Sequence, residues 1–411
     1  MSNLLQEASS RGGGAIAHLV ETHPKLYQHV KVGALNLRHH AAHVQHRQRQ
    51  TSTIDPPNQP TTALTSGGFS DFVLNGGEVV KGMTLELNLV AAANVVTSTA
   101  TDLESVIGCI SHIEIFANGS SLAISRITAD DLLVKFAEFP TTKYERLQRA
   151  VIGATPGAAT ADLVANETRT CYVPLLRNFV VDNELFTSGV SSPLVFKVWW
   201  NRLSVLGAAN VSIASTRILV DNFRYDNSIR QRMQNTYMSG PKQDFRFMAP
   251  SNQTTSENII PNNRHNIRLS GVVGLITKFT VIVQVTGEAA PRYLTKLELM
   301  DAGGSNVLGG ATVSHTYMAD ILGSDDNSHF VDPGGTPLVS DAYYRLPIGE
   351  NESASDDLGA ISGYISMSGT HQIGIWLEGT ETTAQACTVK VLYSAANVFS
   401  IDRGVCSVTR S

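Results

Sequence analysis

The sequence has few cysteines, and they are not spaced for metal or disulfide chemistry. The four that it has, Cys109, Cys171, Cys387 and Cys406, lie far apart and form no CxxC pair. A disulfide framework is therefore not expected, and folding in a reducing compartment is the better interpretation. Cys109 and Cys171 lie inside apolar strand-like runs, where a free buried thiol is the ordinary outcome.

Charge and long apolar runs are also scarce. Charged residues make up 16% of the chain, and the net charge of -5 gives no reason to expect a sequence-specific nucleic-acid partner. No run approaches the roughly 18–20 apolar residues of a membrane-spanning helix. The first residues also lack an apolar signal-peptide core, because the segment Arg11–Gly14 interrupts it. We therefore expect synthesis in the cytoplasm.

Motifs of catalysis and cofactor binding are missing as well. The chain has no GxxxxGK[ST], HExxH or GxSxG sequence, and no GxGxxG between a strand and a helix. The histidines after the first 50 residues are scattered, and His112 lies on the polar face of its predicted strand. The sequence therefore predicts a protein that is not an enzyme and that uses no cofactor and no small-molecule substrate.

Two groups of residues have metal-ligand chemistry in unfavourable surroundings. The acidic loop Gly323–Asp341 does not have the spacing of a calcium-binding EF-hand loop. His39, His43 and His46 would share one face of a helix, but no acidic or cysteine ligand accompanies them and nearby arginines repel cations. We predict no metal site, and a pH-sensitive positive face is the preferred interpretation of the histidines.

The sequence has many stretches in which apolar and polar residues alternate. Met83–Leu89 and Cys109–Ile115 both show the period of half-buried strands. Asn118 and Gly119 follow, and this dipeptide is typical of a two-residue hairpin turn. Such a turn would place Ile115 opposite Leu122. Many short strands with polar turns indicate β-sandwich domains.

The same order of elements recurs later in the chain, roughly 180–200 residues on. Phe279–Val285 corresponds to Met83–Leu89, and Leu297–Leu299 corresponds to Ile113–Ile115. Short helices are predicted after the candidate N-caps Thr128 and Ser314. Further strands are predicted at 170–175, 194–200, 218–223, 266–269, 293–299, 361–367, 373–377 and 388–393. The recurrence predicts two β-domains of one kind.

The first 50 residues differ from everything after them. They contain seven of the chain's twelve histidines, several arginines, and short stretches with amphipathic helical spacing. Two interpretations stay open: a disordered tail, or an arm that docks on a neighbouring subunit or an anionic surface such as a membrane. The residues expected to make these contacts are Arg38, His39, His40, His43, His46, Arg47 and Arg49.

The predicted domain organisation follows from these shifts in composition. It is a basic, His-rich arm at 1–50, a Pro-, Ser- and Thr-rich linker at 51–68, a first β-domain at 69–230, a polar connector at 231–242 and a second β-domain at 243–411. Trp199 lies on the opposite side of its predicted strand from the bulky residues Phe196 and Trp200. It is expected either to pack under a loop or second layer, or to lie in a subunit interface.

With these features in place, the chain resembles the double jelly-roll major capsid proteins of tailless icosahedral phages that have an internal membrane. The residues that carry this resemblance are the Gln-, His- and Arg-rich arm ending at Gln50, Val80–Met83 leading a strand to Val90, Val106–Asn118 with its terminal Asn-Gly turn, the helix at Thr128, and Tyr172–Leu175 before an alternating strand ending at Asn201. The likeness covers most of residues 30–225, and the second domain matches by its general β-pattern.

The resemblance implies an all-β fold of two eight-stranded jelly rolls side by side, with short helices in loops and a helical or extended N-terminal arm. It implies a homotrimer that tiles a viral shell as a pseudo-hexagonal unit. Its partners would be neighbouring capsomers, penton and minor capsid proteins, and an internal membrane reached by the arm. The protein would reside in the virion after synthesis in the host cytoplasm.

Two other functions compete with this one. A carbohydrate-binding or adhesive sandwich, such as a virion spike, would need exposed aromatic residues in a loop-lined groove, whereas Trp199, Trp200 and Trp376 lie in strand-like runs. A hydrolase built on two jelly rolls would need converging carboxylates at the domain junction.

Overall fold

In the computed structural model of the chain, the residues described are 47–60, 68–75, 79–91, 99–101, 103–117, 120–137, 139, 141–153, 161–163, 166–176, 178–201, 211–225, 227–288, 291–307, 313–314, 344–347 and 364–410. The predicted helix after Ser314, the acidic loop Gly323–Asp341 and most of the N-terminal arm lie outside these ranges.

Most of the described residues are in strands. In the first half of the chain the strands are β1 (Arg47–Ile54), β2 (Phe69–Leu74), β3 (Val79–Ala91), β4 (Thr99–Thr101), β5 (Ile110–Ala117), β6 (Ser125–Thr128), β7 (Ala161–Leu163), β8 (Thr168–Pro174), β9 (Leu194–Trp200) and β10 (Val211–Tyr225). In the second half they are β11 (Gln243–Ile259), β12 (Arg264–Arg268), β13 (Val273–Val285), β14 (Leu294–Met300), β15 (Val313–Ser314), β16 (Tyr344–Pro347), β17 (Ile365–Ser368), β18 (Gln372–Leu377), β19 (Gln385–Asp402) and β20 (Val405–Thr409).

The helices of the described segments are short and fall between strands. They are α1 (Leu103–Gly108), α2 (Ala129–Ala137), α3 (Thr141–Ile152), α4 (Phe179–Asp182) and α5 (Asn227–Ser239), with one turn of 3-10 helix at Thr187–Gly189. None of them has the length and apolar character that crossing a bilayer requires.

The first half of the chain folds as a sandwich of two four-stranded sheets. One sheet has the order β1-β10-β3-β8 and the other has the order β2-β9-β5-β6. Alternation decides which side chains enter the space between the sheets: in β9, Phe196, Val198 and Trp200 are buried, whereas Lys197 and Trp199 on the opposite face are half-buried. The core therefore lies between the sheets, and the outer faces are available for contacts.

The second half repeats this arrangement strand for strand. Its sheets have the orders β11-β19-β13-β16 and β12-β18-β14-β15, and β17 pairs with β13 while β20 pairs with β19. The two sets of strand orders correspond position by position: β1, β10, β3 and β8 match β11, β19, β13 and β16, and β2, β9, β5 and β6 match β12, β18, β14 and β15. The prediction of two similar all-β sandwich domains with short helices between strands is therefore confirmed.

The repeat extends to single residue positions. In β3, Thr84 pairs with Leu219 of β10, and two residues further along β3 Glu86 pairs with Arg217. The corresponding pairs in the second sandwich are Thr280 with Leu392 and Ile282 with Lys390. The predicted correspondence of Phe279–Val285 with Met83–Leu89 gives the same alignment, so each outward position on one sheet has a defined counterpart on the other.

Both sandwiches have dense apolar cores, and the two cysteines predicted to be buried lie in the first. Neither Cys109 nor Cys171 forms a disulfide bond, and both are fully buried, as expected. Removal from water raises the pKa of each thiol to about 12, because burial disfavours the thiolate.

A local signal placed the start of helix α2 correctly. At the start of α2, the Thr128 hydroxyl accepts a hydrogen bond from the Asp131 backbone N–H at 3.2 Å, while the Asp131 carboxylate accepts from the Thr128 N–H at 2.9 Å. This reciprocal pair is the predicted capping box. The polar connector predicted at 231–242 overlaps α5, which begins at Asn227 and ends one residue before Gly240.

Three predictions about local structure were wrong or incomplete. The predicted register of the hairpin is wrong: Ile115 pairs with Ser125, not with Leu122, whose side chain is 70% exposed, although the Ser120 N–H does donate to the Ala117 carbonyl at 2.9 Å across the predicted turn. The reason is that the chain loops further before β6 begins, and the Ile124 N–H bonds to the Ile115 carbonyl. The predicted border at residue 50 between arm and linker falls inside β1, a polar strand without apolar periodicity that pairs with β10 along its length.

The long strand β11 was also missed, because its sequence is polar and contains Pro250. In the described sheets β11 pairs with β19 alone, so it is an edge strand, where a residue without an N–H donor is tolerated. The predicted domain ranges as a whole stay predictions.

Candidate assembly surfaces

The first sandwich docks against the outer face of the second through helix α2. Ile282 and Leu392 point away from the second core, since their strand neighbours Val281 and Val391 point into it. They are nevertheless 4% and 2% exposed, because Val134 of α2 packs against both. Burying aliphatic side chains of this kind stabilises by about 1.5–3 kcal/mol each, so this apolar contact holds the two sandwiches together.

A polar contact borders this apolar patch. The Lys390 Nζ donates to the Asp130 Oδ2 at 2.8 Å. Asp130 and Val134 are four residues apart in α2 and therefore lie on the same face of the helix. The ion pair is partly exposed and contributes little energy, about 0.2–1 kcal/mol, but it fixes the orientation of the helix on the sheet.

A second contact between the sandwiches is aromatic. The centroid of the Phe179 ring in α4 lies 5.1 Å from the ring centroid of Phe247 in β11 and 5.0 Å from the ring centroid of Phe399 in β19. Phe247 and Phe399 belong to strands of the second sandwich, but their side chains pack in the apolar core of the first sandwich. The first core thus extends at one end onto strands β11 and β19 of the second sandwich. The Tyr237 side chain is buried beside these rings, and the loss of water raises its pKa.

The turn between β19 and β20 is tied to the first sandwich by hydrogen bonds. The Gly404 carbonyl accepts from the Ser191 hydroxyl at 2.6 Å and from the Ser191 N–H at 2.9 Å, and the Gly404 N–H donates to the Tyr237 carbonyl at 3.1 Å. Gly404 has a φ of +79°, which a residue with a side chain rarely adopts. The relative position of the sandwiches is therefore set by packing, charge and backbone contacts together.

The outer face of the β1-β10-β3-β8 sheet carries ion pairs. The Arg217 guanidinium lies 2.8 Å from the Glu86 carboxylate, a contact that raises the pKa of Arg217, mainly through the hydrogen bond. At the edge of the sheet, the Arg49 Nε donates to both Asp221 carboxylate oxygens, at 2.9 and 2.8 Å. The Arg49 pair fastens β1 to β10. Tyr172 of β8 is 38% exposed on the same face.

The outer face of the β2-β9-β5-β6 sheet carries an aromatic cluster around Trp199. Its indole Nε1 donates to the Glu114 Oε2 at 2.9 Å, its ring stacks on His112 at 5.5 Å between centroids, and Phe69 lies 4.9 Å away. Burial, and then the positive charge of Arg126, lowers the pKa of His112. The Lys197 Nζ lies 4.3 Å from the centroid of the Phe69 ring, so charged groups border the aromatic rings, and Trp199 is half-buried among them.

The second sandwich has a tryptophan at the equivalent position. Trp376 is the penultimate residue of β18, as Trp199 is of β9, and it pairs with Lys296, as Trp199 pairs with His112. Two residues beyond Lys296 lies Glu298, which binds Arg264 at 2.8 Å. The Arg264 guanidinium lies 5.7 Å from the Trp376 ring.

Each sandwich thus presents a half-buried tryptophan beside a paired carboxylate on the same outer face. Sequence reasoning singled out Trp199 and missed the match with Trp376. The sequence did contain a signal for this match, because each tryptophan is followed by a buried apolar residue, Trp200 or Leu377, that ends its strand.

The residues predicted to make arm contacts are only partly within the described chain. Arg38, His39, His40, His43 and His46 lie outside it. Arg47 lies at the start of β1, and Arg49 has Asp221 as an intramolecular partner. Their contacts with membrane or neighbouring subunits stay predictions.

A cavity lies where the C-terminal strand β20 meets the loop between β5 and β6. It has a volume of about 420 Å³ and is lined by Leu122, Ile124, Cys406 and Val408, among others. The Arg410 guanidinium donates to the Ala123 carbonyl at its rim, at 3.1 Å. Across the described ranges, no three His, Cys, Asp or Glu side chains are grouped closely enough to hold a metal ion.

Solved structures of double jelly-roll viral capsid proteins are similar to this chain. PBCV-1 VP54, fitted into a reconstruction of the virophage Sputnik, matches with a TM-score of 0.61 at 12% identity over 89% of this chain and 97% of its own. The Faustovirus major capsid protein matches with a TM-score of 0.60 at 9% identity, over 87% and 91% of the two chains. The mavirus major capsid protein matches with a TM-score of 0.51 at 11% identity, over 88% and 90%.

These matches confirm the predicted double jelly-roll fold along most of the chain. No protein-family model matches the sequence, and a search of curated proteins finds no match.

Proposed function

We propose that this chain is a major capsid protein, a structural subunit that self-assembles into an icosahedral virus shell. The observation that carries the proposal is the pair of sandwiches with identical strand order, joined side by side, in an arrangement similar to viral major capsid proteins over almost the whole chain. Its work is done by surfaces rather than by a catalytic site, and the protein acts in the virion shell after synthesis in the host cytoplasm.

The proposed unit of assembly is a homotrimer. Three chains with two equivalent sandwiches each would give six similar bodies around one axis, a pseudo-hexagonal shape that can tile a closed surface. Permanent interfaces of this kind bury about 2,000–5,000 Å² in total, so many moderate contacts act together. Further partners are neighbouring capsomers, penton proteins and minor capsid proteins.

The tryptophan faces are the proposed contacts between neighbouring trimers. Trp199 and Trp376 lie at equivalent register positions, so a ring of alternating sandwiches would present a tryptophan at each of its sides. Large aromatic side chains that are half-buried in the free subunit are typical of interface centres.

The segment before β1 is the proposed membrane contact. β1 is fastened at the sheet edge by Arg49 and Asp221, so residues 1–46 are attached there to a fixed strand. Arg38 would approach the lipid phosphates of an internal membrane and contribute about 1 kcal/mol on an anionic surface. The four histidines that follow it (His39, His40, His43 and His46) would add to this attraction when they are protonated.

The test is assembly of the full chain, followed by light scattering and electron microscopy in the presence of vesicles. With vesicles of phosphatidylglycerol and phosphatidylcholine, the full chain should form shells on the lipid. A variant lacking residues 1–46, which keeps β1, should form the same trimers but bind these vesicles no better than pure phosphatidylcholine ones. Normal shells on membrane from the truncated chain would contradict the role of the arm.

The variant Trp199→Ala should keep the trimer and lose most of the shells. Tyr364→Ala is the matched control, since Tyr364 is 60% exposed and directly precedes β17, which pairs with β13 in the other sheet of the second sandwich. Equal loss of shells in both variants would remove the argument for Trp199. A full chain that stays monomeric under all assembly conditions would overturn the proposed function itself.

A further inference from the structure

Exposed apolar side chains are concentrated at one end of the first sandwich. Of the five large apolar side chains with the highest exposure among the described residues, three are Leu122 (70%), Val405 (63%) and Met238 (40%). Leu122 lies between β5 and β6, Met238 lies in α5 between β10 and β11, and Val405 follows the turn between β19 and β20. The other two, Val273 and Tyr364, belong to the second sandwich. We call Leu122, Met238 and Val405 the basal patch.

The three side chains surround the turn between β19 and β20. Leu122 and Cys406 line the same cavity, and Val405 directly precedes Cys406. On the other side of the turn, Met238 lies so close to Gly404 that a carbon atom added to this glycine would be 2.6 Å from the Met238 sulfur. Apolar side chains that are exposed singly need no explanation, whereas a contiguous group marks a surface that binds a protein or a membrane.

The N-terminal segment is attached at this same end of the sandwich. In one sheet, β2 and β5 both end beside Leu194, which begins β9. In the other sheet, Tyr225 ends β10 and pairs with Arg47, which begins β1. Four residues connect β2 to β3, and β3 begins beside the end of β10, so all of these strand ends lie at one end of the sandwich. Residues 1–46 therefore leave the sandwich at the end that carries the basal patch.

Hydrogen bonds hold the connections that carry the patch. The Ser120 hydroxyl donates to the Leu122 carbonyl at 3.1 Å and accepts from the Leu122 N–H at 3.2 Å. The Gly404 N–H donates to the Tyr237 carbonyl at 3.1 Å, which fixes the turn against α5. Side chains on a surface that is already ordered lose less conformational freedom when they bind, so the patch is preorganised for contact with a partner.

The charged side chains next to the patch are of both signs. Asp402 directly precedes Arg403 in the turn, and the Lys242 Nζ lies 3.1 Å from the Asp244 carboxylate just after α5. Arg410 adds one cation beside the cavity, where it donates to a backbone carbonyl. The surroundings of the patch are thus close to neutral, and its affinity for a partner depends mainly on apolar burial.

We propose that the basal patch enters the surface of a lipid bilayer and forms a second membrane contact beside the N-terminal arm. The inference rests on the proposed function, in which the arm meets an internal membrane, because an arm attached at this end brings the patch to the same surface. Apolar side chains of this kind enter the boundary between headgroups and acyl chains, and the strength of binding scales with the apolar area that they bury. The tryptophan faces lie on the sheets rather than at the strand ends and are left for contacts between subunits.

The experiment measures binding of the full chain to vesicles of pure phosphatidylcholine, which offer the cations of the arm no anionic surface. The test variant combines Leu122→Gln with Val405→Thr, which removes apolar surface and keeps a β-branched residue at the start of β20. Ile260→Thr is the matched control, since Ile260 is 39% exposed and follows β11 at the opposite end of that strand from α5. Mass by light scattering and folding by circular dichroism are recorded for each chain without lipid.

The full chain and Ile260→Thr should bind these vesicles equally well, at low and at high salt. The double variant should keep its mass and fold but bind at least about 10-fold more weakly, the change that corresponds to losing the burial of one aliphatic side chain. As a second measurement, lipids that carry bromine on their acyl chains should quench the fluorescence of Leu122→Trp more strongly than that of the unaltered chain. The control Ile260→Trp should show no added quenching.

The inference is overturned if the double variant binds as tightly as the full chain, or if Leu122→Trp is quenched no more than Ile260→Trp. A double variant that loses mass without lipid would assign the patch to a contact with another chain and would overturn the inference as well. Failure of the proposed function looks different. Binding that depends on the patch, in a chain that never forms shells, would leave the membrane contact standing without the capsid role, whereas shells from a double variant with unchanged binding would leave the capsid role standing without this contact.

Discussion

Replacing Phe179 by alanine tests whether the two sandwiches unfold as one unit. Phe179 is 1% exposed and begins α4, where the Asn178 side chain caps the Val180 N–H at 3.1 Å. Its ring contacts Phe247 and Phe399, which belong to strands of the second half. The substitution leaves the cap intact and removes the aromatic bridge between the sandwiches.

The expected cost is large. Truncating a buried phenylalanine to alanine destabilises by about 3–5 kcal/mol, the sum of lost transfer energy and the cavity that remains. Aromatic pairs add about 0.5–1.5 kcal/mol beyond area burial, and Phe179 makes two of them, so the free energy of unfolding is expected to fall by at least about 4 kcal/mol. In a double-mutant cycle, Phe179→Ala and Phe399→Ala should be coupled by about 0.5–3 kcal/mol.

Phe279→Ala is the matched control. Phe279 is also fully buried, but it packs in the second core beside Tyr393. Tyr393 lies six residues before Phe399 in β19, roughly 20 Å along the strand. Phe279→Ala should therefore destabilise by a similar amount and show no coupling with Phe399→Ala beyond about 0.5 kcal/mol.

The assay is urea unfolding followed by tryptophan fluorescence and circular dichroism at one protein concentration, because oligomers make stability concentration-dependent. Trp199 and Trp200 report on the first sandwich, and Trp376 reports on the second. The unaltered chain should unfold in one transition, and Phe179→Ala should separate the two. A cost below about 1 kcal/mol, or equal coupling in both cycles, would refute the view that the aromatic contact joins the two sandwiches.

Two further predictions concern the first sandwich. Thr128→Ala removes the capping hydroxyl of α2 and should lower the free energy of unfolding by about 1 kcal/mol, while Thr128→Ser should retain it; equal melting of the two variants would contradict the capping role. Burial lowers the pKa of His112 below its unfolded value of 6.5, so the folded state binds fewer protons. Stability should therefore fall as the pH drops below about 6.5, and His112→Asn should weaken this dependence in melting curves recorded from pH 7.5 to 5.

The amino-acid sequence alone determined the elements whose cause is local. Alternation in β3, β5 and β9 placed strands because a half-buried sheet requires a period of two. The capping residues Thr128 and Asp131 placed α2 because their side chains satisfy N–H groups of the first turn. Repetition of these local patterns was enough to predict two sandwiches of one kind.

The elements that the sequence did not predict depend on contacts with strands that are distant along the chain. The strands β1 and β11 are polar and were not predicted, because edge strands are held by backbone hydrogen bonds that require no apolar pattern. The hairpin register after Ile115 followed packing of Ile124 and Ile127 rather than the Asn-Gly turn signal.

Leu219 and Leu392 show most clearly where sequence reasoning ends. Both are leucines on the outer side of a central strand, at equivalent positions, and local sequence gives them the same description. Only the folded chain makes one of them buried and leaves the other half-exposed, because burial depends on which distant segment reaches the surface. Here that segment is α2, which covers the second sandwich of its own chain.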